Sequence, residues 1–122
     1  MKINFKRLDH VQLCVPEGEV ENARTFYCEV LGLQEIERPI AVREMAGFWL
    51  EIADIRLHIA TEPPMTPSRR HPAFEIEHLE AVRAYLLENA VRIKEEVKID
   101  GLNRFSMYDL WNNRIELIEK ER

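Results

Sequence analysis

Three histidines and one glutamate set the chemistry this chain could perform. His10 and His71 stand 61 positions apart, and His58 and Glu116 stand 58 apart. The stretches around them echo one another: LDHVQLCVP answers RRHPAFEIE, and DIRLHIA answers NNRIELIE. An echo of half the chain marks one supersecondary unit used twice, neither copy able to bury its apolar face alone. Doubling also places equivalent side chains about a pseudo-twofold axis. Imidazoles and a carboxylate gathered there suit a divalent first-row ion such as Zn²⁺, Ni²⁺, Mn²⁺ or Fe²⁺. Two or three nitrogens with one carboxylate leave a coordination position open for water or substrate. His58 stands as a fourth ligand or as a close neighbour of the other three.

The elements that must position these side chains follow from hydrophobic spacing. Residues 6–15 alternate, with Val11, Leu13 and Val15 on one face and His10, Gln12 and Cys14 on the other, as a half-buried strand requires. From Glu19 the period becomes helical, with Val20, Ala23, Phe26, Tyr27, Val30 and Leu31 in one stripe and Gly32 as the closing residue. Strands follow at residues 33–38, 43–52 and 55–59, with a turn at Ala53-Asp54, although Ala suits positive φ poorly. Residues 62–70 hold three of the six prolines and read as a linker between units 1–61 and 71–122. The second unit repeats the order. It has a strand in HPAFEIE, where Pro72 implies an edge or a first residue, and a helix at Leu79–Asn89 burying Leu79, Val82, Tyr85 and Leu86. Strands follow near 91–93, 103–109 and 114–119, the last two joined through Asn112 and Asn113, which tolerate left-handed backbone. The expected fold is α+β: two βαβββ repeats forming a curved mixed β-sheet cup, with the helices on the convex face.

Parity places every candidate ligand opposite the apolar side of its strand, so all four face the concave side. Glu51 and Glu75 share that side as candidate general bases. Arg56, Arg104 and Arg114 point the same way and could hold an anionic substrate, with Trp49, Tyr108 and Trp111 as candidate pocket walls. His78, beside Glu77 at a helix start, reads as a surface residue.

Composition narrows the class. With 46% hydrophobic and 32% charged residues the chain is globular rather than disordered. A net charge of −5 argues against binding phosphate backbones, so no nucleic acid partner is expected. No apolar run approaches a membrane span or a signal peptide, so a cytoplasmic protein with no membrane partner is expected. Cys14 and Cys28 lack metal or disulfide spacing and read as buried free thiols.

The stretches LDHVQLCVP, ARTFYCEVLGL, HPAFEIE and DLWNNRIELIE together resemble the vicinal oxygen chelate superfamily, the glyoxalase, bleomycin resistance protein and extradiol dioxygenase group. The resemblance covers essentially the whole chain as a single glyoxalase-like domain over 1–122. It implies a metal triad of His10, His71 and Glu116. The fourth-strand position that is often Glu in glyoxalase I is His58 here, and Leu110 and Asn112 replace the usual Pro and Gly of the last turn. The implied function is metal-dependent chemistry on a small oxygen-rich molecule, of glyoxalase-like lyase or isomerase, thiol transferase or dioxygenase type. Glu116 and Glu75 are its candidate catalytic residues; Trp49, Arg56, Arg104 and Tyr108 are its candidate substrate contacts. The alternative is a metal-free protein that sequesters a small molecule. A homodimer is expected on either reading.

Overall fold

The computed structural model describes residues 1–64 and 68–122, so residues 65–67 of the expected linker lie outside the described residues. The chain divides into two compact units, Met1–Pro63 and Pro64–Arg122. Each unit is a four-stranded mixed sheet with one main helix, and the α+β class and doubled βαβββ order hold.

In the first unit β1 (His10–Val15) runs parallel to β4 (Ile55–Thr61). β4 is antiparallel to β3 (Phe48–Ile52), and β3 to β2 (Gln34–Ile36), giving the order β1-β4-β3-β2. Val15, Phe48, Leu50, Leu57 and Ile59 are buried together with Ala23, Phe26 and Tyr27 of the helix. The helix differs from expectation. An α-helical α1 (Val20–Arg24) passes directly into π winding over Thr25–Val30, where the Leu31 N–H donates to the Phe26 carbonyl five residues back at 3.0 Å. Over so short a run, hydrophobic spacing does not separate α from π winding. Gly32 then ends the helix at φ 74.

The strand expected from Arg43 starts only at Phe48, because Ile40–Val42 forms a 3₁₀ turn. Gly47 makes the entry possible: at φ 123, a Cβ there would lie 2.0 Å from the Ile59 carbonyl oxygen. Only a residue without a side chain lets the chain join β4 at that distance. Ala53 does adopt positive φ in the β3–β4 turn, at 50°.

The second unit repeats the plan. β5 (Ala73–Glu75) is parallel to β8 (Arg114–Lys120), with β7 (Leu102–Tyr108) and β6 (Arg92–Glu95) continuing antiparallel in the order β5-β8-β7-β6. β5 is an edge strand of this sheet beginning just after Pro72, so His71 precedes the strand instead of lying in it. Helix α2 (Leu79–Glu88) buries Leu79 and Leu86, and the sheet contributes Phe105, Met107, Ile115 and Leu117. Tyr85, expected on the buried stripe, is 45% exposed, because it stands off the i, i+3, i+7 line of Leu79, Val82 and Leu86. His78 is exposed as expected and takes left-handed backbone at φ 60. The Glu119 carboxylate accepts the backbone N–H groups of His78 at 2.7 Å and Leu79 at 3.3 Å, capping the helix from β8.

The repetition reaches individual ion pairs. Arg24 lies over the Phe48 ring at 4.7 Å, and Arg83 lies over the Phe105 ring at 4.6 Å. Each arginine pairs with the glutamate three residues earlier, Glu21 or Glu80, and with a glutamate of the next strand, Glu35 or Glu95. The guanidinium thus spans helix, strand and aromatic core at equivalent positions of both units.

Candidate functional site

In the second unit the β7–β8 register opposes Ser106 to Glu116 and Tyr108 to Arg114, so these four and Arg104 share the face that α2 does not cover. Parallel pairing of Ala73 with Glu116 brings the end of β5 beside them. His71, two residues earlier, reaches Glu116 Oε1 with Nε2 at 3.1 Å. Its Nδ1 lies 2.8 Å from the Arg69 carbonyl, which accepts only from a protonated nitrogen. The Nδ1–H therefore leaves Nε2 facing a carboxylate oxygen, an arrangement that needs a proton or a cation between the two atoms. A backbone carbonyl that fixes the far nitrogen of an imidazole is the usual support of a metal-binding histidine. A separation of 3.1 Å is short enough for the two atoms to serve as neighbouring donors, were a divalent cation held there. The donor set fits a divalent metal. Arg104 Nη1 also reaches Glu116 Oε1, at 3.3 Å, while its Nε and Nη2 donate to the Val97 carbonyl at 3.0 and 2.9 Å. The guanidinium is thereby held beside the carboxylate.

The first unit presents a row of rings. β4 pairs with both β1 and β3, setting His58 opposite Gln12 on one side and Trp49 on the other. The His58 ring stacks on Trp49 at 3.9 Å and 3°, and on His10 at 4.1 Å and 15°. His58 is 8% exposed and, among the described residues, its Nε2 is buried without a hydrogen-bond partner. Burial, then the neighbouring His10, pushes the His58 imidazole below its ordinary pKa. His10 Nδ1 lies 2.9 Å from Asp9 Oδ2, so it too is tied through Nδ1 and presents Nε2. The hydrogen bond from His10 holds the Asp9 carboxyl below the usual carboxylate range.

Among the described residues, no group of three or more His, Cys, Asp or Glu side chains gathers about one point. His71 and Glu116 form a pair in the second unit, and His10 and His58 form a stack in the first. Arg114 does not stand free for substrate: it donates to Ser106 Oγ at 3.1 Å and pairs with Glu96, while Ser106 donates to Glu96 at 2.6 Å. Tyr108 carries the Arg92 guanidinium 4.5 Å above its ring, and Trp111 is half-buried in the β7–β8 turn. Arg56, Glu51 and Glu75 are exposed, with Lys120 lying 3.6 Å from Glu75. Among the described residues neither cysteine forms a disulfide, and both are half-buried, less enclosed than expected. Asp9 and the Arg69 carbonyl were not foreseen as partners. The acidic neighbour in Asp9-His10 was the available signal for the first, whereas nothing in a side chain announces a backbone carbonyl.

Residues 7–117 match the family described as Glyoxalase/Bleomycin resistance protein/Dioxygenase superfamily. No curated protein matches the chain. Among solved structures, a protein assigned to the glyoxalase family from Bacillus anthracis is 30% identical, with TM-score 0.89 over 99% of this chain and 100% of that one. A glyoxalase/dioxygenase from Nostoc punctiforme is 22% identical, with TM-score 0.80 over 98% and 94%. A fosfomycin resistance protein, FosX, from Listeria monocytogenes, complexed with Mn(II) and sulfate, is 20% identical, with TM-score 0.77 over 97% and 93%. The last two likenesses bear on the fold alone.

Proposed function

We propose, for a chain that belongs to the Glyoxalase/Bleomycin resistance protein/Dioxygenase superfamily, metal-dependent catalysis on a small oxygen-rich molecule, of lyase or isomerase, thiol transferase or dioxygenase type. The observation that carries this reading is the His71–Glu116 pair, with Nε2 and Oε1 3.1 Å apart and the far nitrogen anchored on a backbone carbonyl. In the proposal His71, Glu116 and the first unit's His10 are the donors for a divalent ion. Such an ion supplies Lewis-acid stabilisation of negative charge developing on a substrate oxygen. Arg104, fixed by the Val97 carbonyl, offers its guanidinium edge to an anionic group of the substrate. Glu75 lies on the same side of β5 as Ala73, the partner of Glu116, and is the proton acceptor in this proposal, with Lys120 3.6 Å away. The same proposal places the protein in the cytoplasm as a homodimer; among the described residues no helix is long and apolar enough to cross a membrane.

Metal analysis of the purified protein by mass spectrometry, followed by calorimetric titration with Mn(II), Zn(II) and Ni(II), tests the proposal. The wild type should retain or bind at least one of these ions. His71→Ala should abolish binding with an unchanged circular dichroism spectrum, since His71 is outside the apolar core. His78→Ala should change neither. A wild type that neither retains nor binds any of the ions overturns the proposal. The metal-free sequestering reading would then replace it, and one observation favours that reading: Arg104 already supplies Glu116 Oε1 with a positive partner at 3.3 Å.

A further inference from the structure

His58 was expected as a fourth ligand or a close neighbour of the other three, and its surroundings in this chain point to the second role. Its ring is covered on both faces, by Trp49 at 3.9 Å and His10 at 4.1 Å, and the three rings are within 15° of parallel at each contact. An imidazole lone pair lies in the plane of its ring. Two parallel rings stacked face to face send their lone pairs out side by side, so the pairs do not converge on one ion. Coordination by His58 together with His10 would require one ring to swing out of the stack. Gln12 and His58 are partners across β1–β4, as are Trp49 and His58 across β3–β4. Moreover, both His10 and His71 have Nδ1 tied to a hydrogen-bond acceptor, whereas among the described residues His58 Nε2 is buried with no partner.

We propose that His58 is a positioning residue and not a metal ligand: clamped against Trp49, its ring sets the plane in which His10 presents Nε2. The Asp9 carboxylate fixes rotation of the His10 ring at one edge, and the stack fixes its tilt across one face. Together they remove most of the freedom of a side chain that is itself 44% exposed. The proposal rests on the reading that His10 is a metal donor. The consequence for that reading is a three-donor set with at least one open coordination position instead of a four-donor set.

Two variants separate clamp from ligand. His58→Phe keeps a flat ring between Trp49 and His10 but has no nitrogen, whereas His58→Ala removes the ring. Calorimetric titration with Mn(II) and Zn(II) should give His58→Phe an affinity within about threefold of wild type. His58→Ala should lose about 10- to 100-fold, the range for removing a residue that orients a ligand. Trp49→Leu should weaken binding by a smaller factor, and should add nothing in the His58→Ala background, because its effect passes through His58. Loss of binding in His58→Phe as complete as in His10→Ala, with the fold intact by circular dichroism, would make His58 a ligand and overturn the proposal. A proton spectrum of the metal-free protein supplies a readout that needs no ion. Ring currents should displace the His10 Cε1–H signal in wild type and His58→Phe, and the displacement should vanish in His58→Ala. Should the wild type bind no metal, the functional reading fails, yet this spectrum still decides whether the clamp exists. An unmoved His10 signal in His58→Ala would exclude it.

Discussion

Glu96, Ser106 and Arg114 form a closed set on the helix-free face of the second unit, with the side chains of Glu96 and Arg114 only 8% and 11% exposed. Strand parity correctly put Arg114 on this face, yet it could not reveal the partner, because Glu96 comes from the segment after β6, where no alternation fixes the direction of a side chain. Parity therefore placed Glu116 and Arg104 on one face, although His71 lies outside β5, and it overstated the charge free to meet a substrate. The Ser106 hydroxyl, and after it the Arg114 guanidinium, hold the Glu96 carboxyl below the usual carboxylate range, outweighing a desolvation that pushes it up. A folded-state pKa below the unfolded one means that Glu96 contributes stability above the unfolded value of about 4.3. That contribution is lost as the pH falls through the depressed folded value. Glu96→Gln should cost about 3 kcal/mol at pH 7, since it leaves a buried guanidinium without its counter-charge. The variant should also show a shallower loss of stability on acidification than wild type. Urea unfolding at pH 7 and near pH 4 measures both; equal pH slopes in the two proteins would rule out Glu96 as a contributor.

The order of elements was open to sequence reading because alternation and helical stripes survive in β1, β4, β7, β8 and α2. Three details were not. The π winding of Thr25–Val30 and the 3₁₀ turn of Ile40–Val42 occupy runs too short for periodicity to name the winding. The late start of β3 depends on a backbone approach at Gly47 that no pattern of side chains records. The paired arginines were legible in principle, as Glu-x-x-Arg recurs at Glu21–Arg24 and Glu80–Arg83. What the repeat cannot convey is that each guanidinium covers a buried Phe two strands away. Arg24→Met and Arg83→Met keep the length and apolar stem while removing the charge. Each should lower stability by about 1–2 kcal/mol, combining a cation–π contact with a partly shielded ion-pair network. The two losses should add in the double variant, because the residues belong to separate units and share no partner. Chemical denaturation of the two single variants and the double checks this, and a single-variant loss below about 0.3 kcal/mol would demote the arginines to ordinary surface pairs.

Each four-stranded sheet, taken by itself, ends in two edge strands, β1 and β2 in one unit and β5 and β6 in the other, and carries a helix on only one face. Unpaired edges invite association, and exposed apolar side chains do the same when they cluster in sequence. The segment before β1 carries such a set: Ile3, Phe5 and Leu8 are 67%, 87% and 59% exposed. Their spacing was visible in the sequence, but without regular structure in residues 1–9 no hydrophobic pattern gave them a side of a strand to belong to. The doubled plan itself was the most legible property of the molecule, because repetition at 58 to 61 positions survives even where individual elements are mis-bounded. From edges and exposed apolar residues together, a homodimer is expected at micromolar concentration. Sedimentation equilibrium should report twice the 14.5 kDa chain mass. If the donors of one metal set come from two chains, dilution below the dimer dissociation constant should weaken Mn(II) binding in step with loss of the dimer. If they come from one chain, the two curves should separate. A monomer at micromolar concentration would rule out the dimer and confine any metal set to a single chain.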